Sequence, residues 1–432
     1  MVLAMKAQEV SFLMLAKYFN WQKMQYGLKF KHTITVGIML FIAITACAQS
    51  DTTIKLSAAP YYGNSQTQLD AYDILTKLFR LKVAAKADSG KIKPGKLYFA
   101  FAPAVGYTLE AGALAALQVN TSFYTNDPQH TNLSVVSTEG QYSVHNQLMT
   151  FCIGNIWLNQ NKYDLLTDWR YYQYPSYTYG LGENTFYGNS DYVNYSYVKA
   201  YQEILRHFNS SYYFGVGYDI DYHFNIVSNT NVTDFQEYNE NQTTTTSSGV
   251  VVHFMYDNRT NQNNPKKAFY FSTEYRINSM LMGSSSDWQS LQLEARKYFK
   301  LSEHKVLALW TWNELTFGGK VPYFELPSNG WDTYLNTGRG YIQGRFRGPD
   351  MVYDEAEFRF GILRSGLLGG VVFANVESVS SWPGNQFAGI DPGEGIGLRV
   401  KFNKHSDTNL CIDYGFGIQG SRGVFFNLGE VF

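Results

Sequence analysis

The sequence predicts an all-β protein, a transmembrane antiparallel β-barrel of about sixteen strands with a short N-terminal helix. Three observations carry that prediction. Aromatic residues make up 17% of the 432-residue chain while charged residues make up only 16%. Apolar and polar side chains alternate with period two over long segments. The chain also opens with a stretch that reads as an export signal.

Aromatic rings fit a pleated surface better than the side of a helix. The 34 Tyr also suit a surface that crosses from lipid to water. A formal net charge of −1 gives no footprint for a nucleic-acid partner. Cys47, Cys152 and Cys411 are too few for a disulfide framework and lack metal-ligand spacing.

The alternation is clearest in SYYFGVGYDIDYHF at 211–224. Tyr212, Phe214, Val216, Tyr218, Ile220, Tyr222 and Phe224 share one face, opposite Gly215, Gly217, Asp219, Asp221 and His223. Leu291, Leu293 and Ala295 likewise oppose Gln292, Glu294 and Arg296, and Glu355, Glu357 and Arg359 oppose Ala356, Phe358 and Phe360. A soluble sandwich would also alternate. Long strands with ionic residues in the middle of the polar face and bulky rings on the other fit lipid outside and a polar lumen inside. Closure then follows, because an open edge would leave backbone groups unpaired in hydrocarbon.

Segments of this kind fall near 97–107, 111–124, 132–143, 147–158, 162–175 and 194–208. They continue near 211–226, 247–257, 267–279, 288–301 and 304–317, and end near 351–363, 367–379, 395–403, 409–419 and 422–432. The even count of sixteen suits a single-chain barrel. Polar stretches such as 230–246 follow odd-numbered strands, the place for external loops if the N-terminus is periplasmic.

Ahead of the barrel, LKFKHTITVGIMLFIAITACAQS at 28–50 sets Lys29 and Lys31 before an apolar run. The run ends in Ala46-Cys47-Ala48, and its length fits a secretory signal better than a bilayer span. ITAC also resembles a lipoprotein box with Cys47 as the lipidated residue, so two processing routes stay open. The predicted organisation is a signal and upstream extension at 1–48, a short periplasmic segment at 49–94, and the barrel at 95–432. Within the middle segment, Leu69, Tyr72, Leu75, Leu78 and Phe79 define one face of a helix over 69–81. It is expected to lie against the periplasmic mouth, with a plug in the lumen as the alternative.

Between the eleventh and twelfth strands stands LNTGRGYIQGRFRG at 335–348, rich in glycine and arginine. Glycine lets such a loop turn sharply against a wall. Arginine offers a permanently charged planar fork that can clamp carboxylates from two strands. Glu294, Glu355 and Glu357 are lumen-facing carboxylates on this reading; the alternative is a mobile external loop with solvated arginines.

With its Arg339-Gly340-Tyr341, the sixth external loop resembles that of the BamA/TamA family of outer-membrane proteins (bacterial surface antigens). GGKVPYFELPSNGW at 318–331 is similar to the family's lead-in and EAEFRF at 355–360 to its following strand. APAVGYTLEAG at 102–112 and YTYGLGENT at 177–185 are similar to motifs of its compact members. The terminal Phe432 resembles the aromatic end of a barrel's last strand, by which such barrels are recognised for insertion.

The resemblance implies a loop folded into the lumen, with Glu357 the first partner of Arg339 and Glu355 a further candidate. Where the family often has an Asp on the next strand, this chain has Asn375, with Glu377 on the same face as a substitute. It also implies an accessory role in outer-membrane protein assembly or translocation, with outer-membrane lipid and other assembly proteins as partners. Members that insert proteins carry periplasmic domains, whereas about 45 residues separate the signal from the first strand here, few for an independent domain. The family's first and last strands pair weakly, so Pro103 in the first strand is either a mark of that seam or a bulge.

No cofactor and no enzymatic activity are expected. The chain shows no G-x-S-x-G elbow, phosphate loop, dinucleotide fingerprint or zinc-protease helix. Asp219, Asp221 and His223 share a strand face and form a candidate metal or acid–base set. The plainer reading is a polar lumen wall. A passive or selective channel is the main alternative function, and a surface hydrolase a third.

Overall fold

The computed structural model describes residues 69–70 and 95–432, except 210 and 405, with side chains at 100–103 left aside. The expected signal, the Cys47 processing site and all but two residues of the expected 69–81 helix lie outside the described residues.

The period-two segments become strands. These are β1 (Tyr98–Thr108), β2 (Gly112–Phe123), β3 (Ser134–Ser143), β4 (Leu148–Leu158), β5 (Tyr163–Gln173) and β6 (Ser176–Thr178). Next come β7 (Asp191–His207), β8 (Tyr212–Ser228), β9 (Thr244–Asp257), β10 (Ala268–Asn278), β11 (Trp288–Ser302) and β12 (Lys305–Phe317). The last are β13 (Met351–Gly361), β14 (Leu368–Val379), β15 (Asp391–Asn403), β16 (Thr408–Phe416) and β17 (Arg422–Leu428). β5 and β6 are two halves of one stave. Both pair with β7, at Gln173↔Ser196 and Ser176↔Val193, and the ladder breaks where Pro175 has no amide to offer. The described segments therefore make sixteen staves.

Each stave pairs antiparallel with the next, from β1–β2 through to β16–β17. At the seam, β1 and β17 lie alongside each other, with Leu109 over Gly423, but no ladder joins them among the described residues. The register of β1 runs unbroken from Tyr98↔Ser122 to Thr108↔Gly112, so Pro103 makes no bulge. β1 has a ladder on one side only, and an edge is where a missing amide donor is tolerated.

Pleating sorts the side chains as the alternation predicts. On β8, Tyr212, Phe214, Val216, Tyr218 and Tyr222 are exposed outward, while Asp219, Asp221 and His223 are buried inward. Val250 and Val252 of β9 and Ile396 and Leu398 of β15 continue the outward apolar face.

Long connections at 179–190, 229–243, 318–350 and 380–390 gather at one rim. The 229–243 connection contains a short helix, α1 (Phe235–Asn239), where a polar loop was expected. Its buried Phe235 and Tyr238 explain the turn: Phe235 packs edge-on to Tyr323 at 4.6 Å, and the Tyr238 hydroxyl donates to Val321 O at 2.9 Å.

Two apolar clusters occupy the interior. One joins Tyr172, Tyr195 and Tyr197 of the wall to Tyr323 and Leu326 of the 318–350 loop. The other joins Trp310, Trp312 and Tyr353 of the wall to Tyr341 and Phe346 of the same loop and to Phe432. The chain's end differs from expectation. β17 stops at Leu428, Gly429 takes a positive φ of 97°, and Phe432 stacks on Trp310 at 5.2 Å inside the barrel. The last aromatic thus leaves the strand, because Trp310 and Tyr298 give its ring a buried site that the lipid face lacks. β15 starts four residues before its expected 395, since Pro392 and Gly393 continue the ladder with β14.

Candidate functional site

The 318–350 loop has its own frame. Asn329 donates from Nδ2 to Ile342 O at 3.0 Å and accepts from Phe346 N at 2.8 Å, which ties the two limbs together. The Asp332 carboxylate accepts from the amides of Asn336 and Thr337 at 2.9 and 2.7 Å, and closes the turn before the motif. The limbs also form a bridge at Ser328↔Arg347.

This frame delivers Arg339 to the wall. Its Nη1 donates to Asp413 Oδ2 on β16 at 2.5 Å, and its Nη2 donates to both Glu355 and Glu357 on β13. The guanidinium lies over the Phe373 ring at 3.8 Å, a cation–π contact in a site shut off from bulk water. Glu355 also accepts from Tyr353, and Glu357 accepts from Arg359 Nε at 2.6 Å. Arg399 bonds Asp413 and, at 2.7 Å, Glu430, while Arg359 Nη2 donates to Phe432 O at 2.9 Å. Three arginines and four carboxylates thus share one buried network. Breaking a buried ion network from one side strands a charge, whereas its net worth against an apolar core is small.

Gly340 and Tyr341 complete the motif. Gly340 has φ +116°, and a Cβ there would sit 2.6 Å from Phe416 O, so only glycine lets the loop lie this close to β16. The Tyr341 hydroxyl donates to Pro392 O at 2.5 Å and accepts from Ile418 N at 3.0 Å. Asn375 holds the motif by its backbone, donating to Arg339 O at 2.9 Å.

Other candidates are placed differently. Glu377 does not replace the missing Asp: it faces Asp391 across the β14–β15 ladder, and neither of its oxygens has a hydrogen-bond partner. Asp413 supplies that acid from two strands further on. Glu294 is engaged by Arg296 at 2.5 Å and Trp310 Nε1 at 3.0 Å, and does not reach Arg339. Arg345 is buried rather than solvated, because it donates to Thr185 Oγ1 and O at 2.6 and 2.8 Å and to Gln419 at 3.0 Å. Arg347 donates to Tyr323 O and Leu326 O at 3.2 and 3.0 Å.

The 177–185 stretch meets the loop directly, since Gly182 N donates to Arg347 O at 2.7 Å and Thr178 bonds the Tyr323 hydroxyl at 2.5 Å. Near this contact the rim holds two acids in poor solvent. Burial pushes the Glu110 carboxyl up to about 8 and that of Glu183 up to about 7.

Asp219, Asp221 and His223 do not converge on a shared ligand. Asp221 is taken by Arg276 at 2.6 Å and by the hydroxyls of Tyr197 and Tyr201. His223 turns to Glu325 of the loop at 3.2 Å and stacks on Tyr197 at 4.2 Å. The residues that sequence reasoning missed are Asp413, Arg399 and Glu430. A signal existed for Asp413, which alternates inward with Cys411 on a strand already expected there.

The strands and the docked loop together define an antiparallel β-barrel with a loop folded into its interior. Neither a protein-family model nor a curated protein matches the chain. Among solved structures, it is similar to BamA from Haemophilus ducreyi lacking POTRA domains 1-3, with 14% identity and a TM-score of 0.52 over 77% of this chain and 69% of that one. CdiB from Acinetobacter baumannii aligns at 15% identity with a TM-score of 0.49, over 77% of this chain and 60% of CdiB. The likeness to BamA is one of fold.

Proposed function

We propose that the protein is an integral outer-membrane barrel, exported through its N-terminal signal, that assists the assembly or translocation of other outer-membrane proteins. The observation that carries this reading is Arg339, held inside the barrel by Glu355, Glu357 and Asp413. A surface loop that served only to cover a pore would not need a buried ion network. The seam supports the same reading, because β1 and β17 adjoin without a ladder and leave a line along which lumen and bilayer can communicate. A wide passive channel is disfavoured by the loop and the Phe432 tail that fill the interior.

The test is reconstitution into liposomes of outer-membrane lipid, with an unfolded barrel protein added as client. Faster client folding than in empty liposomes is expected, with Arg339→Ala removing most of the gain. No acceleration, together with steady single-channel conductance in planar bilayers, would favour the channel.

A further inference from the structure

On the wall formed by β7, β9 and β10, away from the arginine network, three side chains meet that play no part in docking the loop. Glu203, His253 and Glu274 each bring one ligand atom to within 4.8 Å of the others. His253 Nδ1 lies 2.6 Å from Glu203 Oε2, and its Nε2 lies 2.9 Å from Ser272 Oγ and 3.6 Å from Glu274 Oε1.

Local structure explains the meeting. His253 and Glu274 are direct partners in the β9–β10 ladder. Glu203 comes from β7, one strand beyond β8, and reaches across because the inward face of β8 is bare at Gly215 and Gly217. A Cβ on Gly217 would fall 2.4 Å from Glu203 Cγ, so the glycine makes the space that the glutamate occupies. Two residues along the same face, Asp219 is 1% exposed, has an Oδ1 without a hydrogen-bond partner, and stands within electrostatic reach of all three residues.

Charge is unbalanced here. Glu203, Glu274 and Asp219 can carry three negative charges against at most one on His253. Of the nearby cations, Arg276 is bonded to Asp221 at 2.6 Å and to the Asp219 backbone carbonyl at 3.2 Å, and Lys199 to Asp168 at 3.0 Å, so neither forms a direct ion pair with Glu203, Glu274 or the Asp219 carboxylate. A buried carboxylate stays charged only beside a counter-charge and otherwise takes up a proton, and a bound cation is one way to supply that charge. An imidazole nitrogen with two or three carboxylate oxygens is a donor set that a borderline divalent ion of the zinc kind accepts. Glu274 keeps 26% of its side chain exposed, the most accessible of the three.

We propose that Glu203, His253 and Glu274, with Asp219 beside them, form a divalent metal site of the zinc type in the barrel wall. Its occupant would tie β7 to β9 and β10 across the glycine gap of β8. The inference does not depend on the role proposed for the barrel.

The experiment uses the full chain, folded in detergent, stripped with a chelator, loaded with Zn²⁺ and desalted. About one zinc per folded chain is expected to stay bound. His253→Gln and Glu203→Gln should each weaken retention at least tenfold, while His130→Gln, at the exposed turn between β2 and β3, should keep it. Cobalt(II) in place of zinc should give the wild type a visible absorption band of a nitrogen–oxygen site, a readout that needs no variant to fold. Absence of both stoichiometric zinc and the cobalt band from the wild type would overturn the proposal and leave His253 as a hydrogen-bonded bridge from Glu203 to Ser272. Retention by His253→Gln equal to that of the wild type would overturn it as well.

Discussion

Arg339 in the 318–350 loop donates to Asp413 on β16 at 2.5 Å, a contact between residues 74 positions apart in sequence. With Glu355 and Glu357 on β13 it joins the loop to two strands of the wall on the β17 side of the seam. Removing Arg339 leaves buried carboxylates without their cation. Arg339→Ala should therefore lower stability by about 3–5 kcal/mol, or somewhat less if water enters the lumen. Urea titration read by heat-modifiable gel mobility would check it.

Arg345 gives the internal comparison. Its direct hydrogen-bond partners are neutral, Thr185 and Gln419, and the buried Glu377 and Asp391 feel its charge without being bonded to it. Arg345→Ala is expected to cost about 1–3 kcal/mol, the range for buried hydrogen bonds to a charged group. Equal losses from the two arginine variants would mean that the carboxylate network has no special weight.

Coupling tests the network itself. Glu357→Gln should reproduce much of the Arg339→Ala defect, and the double variant should be little worse than either single change. A double-mutant cycle is expected to return a coupling of about 3 kcal/mol, the upper end for groups in one network. Strictly additive losses would contradict a shared network.

The barrel's alternation was legible because every outward residue faces one solvent and every inward residue another, so period two survives along the whole chain. The Arg339-Gly340-Tyr341 motif was legible because only glycine tolerates the approach to Phe416 and only arginine can clamp several acids. Asp413 was harder to assign: alternation shows that it faces inward but not which cation reaches it. The inward turn of Phe432 was hidden, since GVFFNLGEVF alternates no differently from a strand, and the Trp310 site that captures the ring lies far away in sequence. The burial of Arg345 depends on Thr185 in another loop, a pairing that no local pattern announces.

The close packing of the motif makes a steric prediction. Gly340→Ala would place a methyl 2.6 Å from Phe416 O, at a φ of +116° that L residues rarely adopt. The loop should lose its seat without any change of charge, with a loss of at least about 2 kcal/mol. Tyr341→Phe, which removes only the bridge to Pro392 O and Ile418 N, should cost about 1–2 kcal/mol. Denaturant midpoints of the two variants would rank them.

A pH dependence follows from Glu110 in the β1–β2 turn. Its carboxyl is raised from 4.5 to about 8 by burial, so the folded chain holds a proton that the unfolded chain releases. The folded state binds more protons between those values, and stability must fall as pH rises through that window. Glu110→Gln should remove this decline and make the protein about 1–3 kcal/mol more stable than wild type at pH 9. Parallel titrations at pH 5 and pH 9 would check it, and a wild-type curve that rises across the window would count against the burial of Glu110.

The central claim, that the arginine loop is a docked part of the barrel interior, is tested most directly by amide hydrogen exchange of the folded protein in micelles. The amides of Tyr341, Gly344, Arg345 and Phe346 all donate within the loop, to Gly338 O, Asn329 O, Ile342 O and Asn329 Oδ1. They should be protected as strongly as the β12 and β13 ladders in the wild type and deprotected together in Arg339→Ala. Exchange of 335–348 at the rate of an unstructured loop in the wild type would contradict the account.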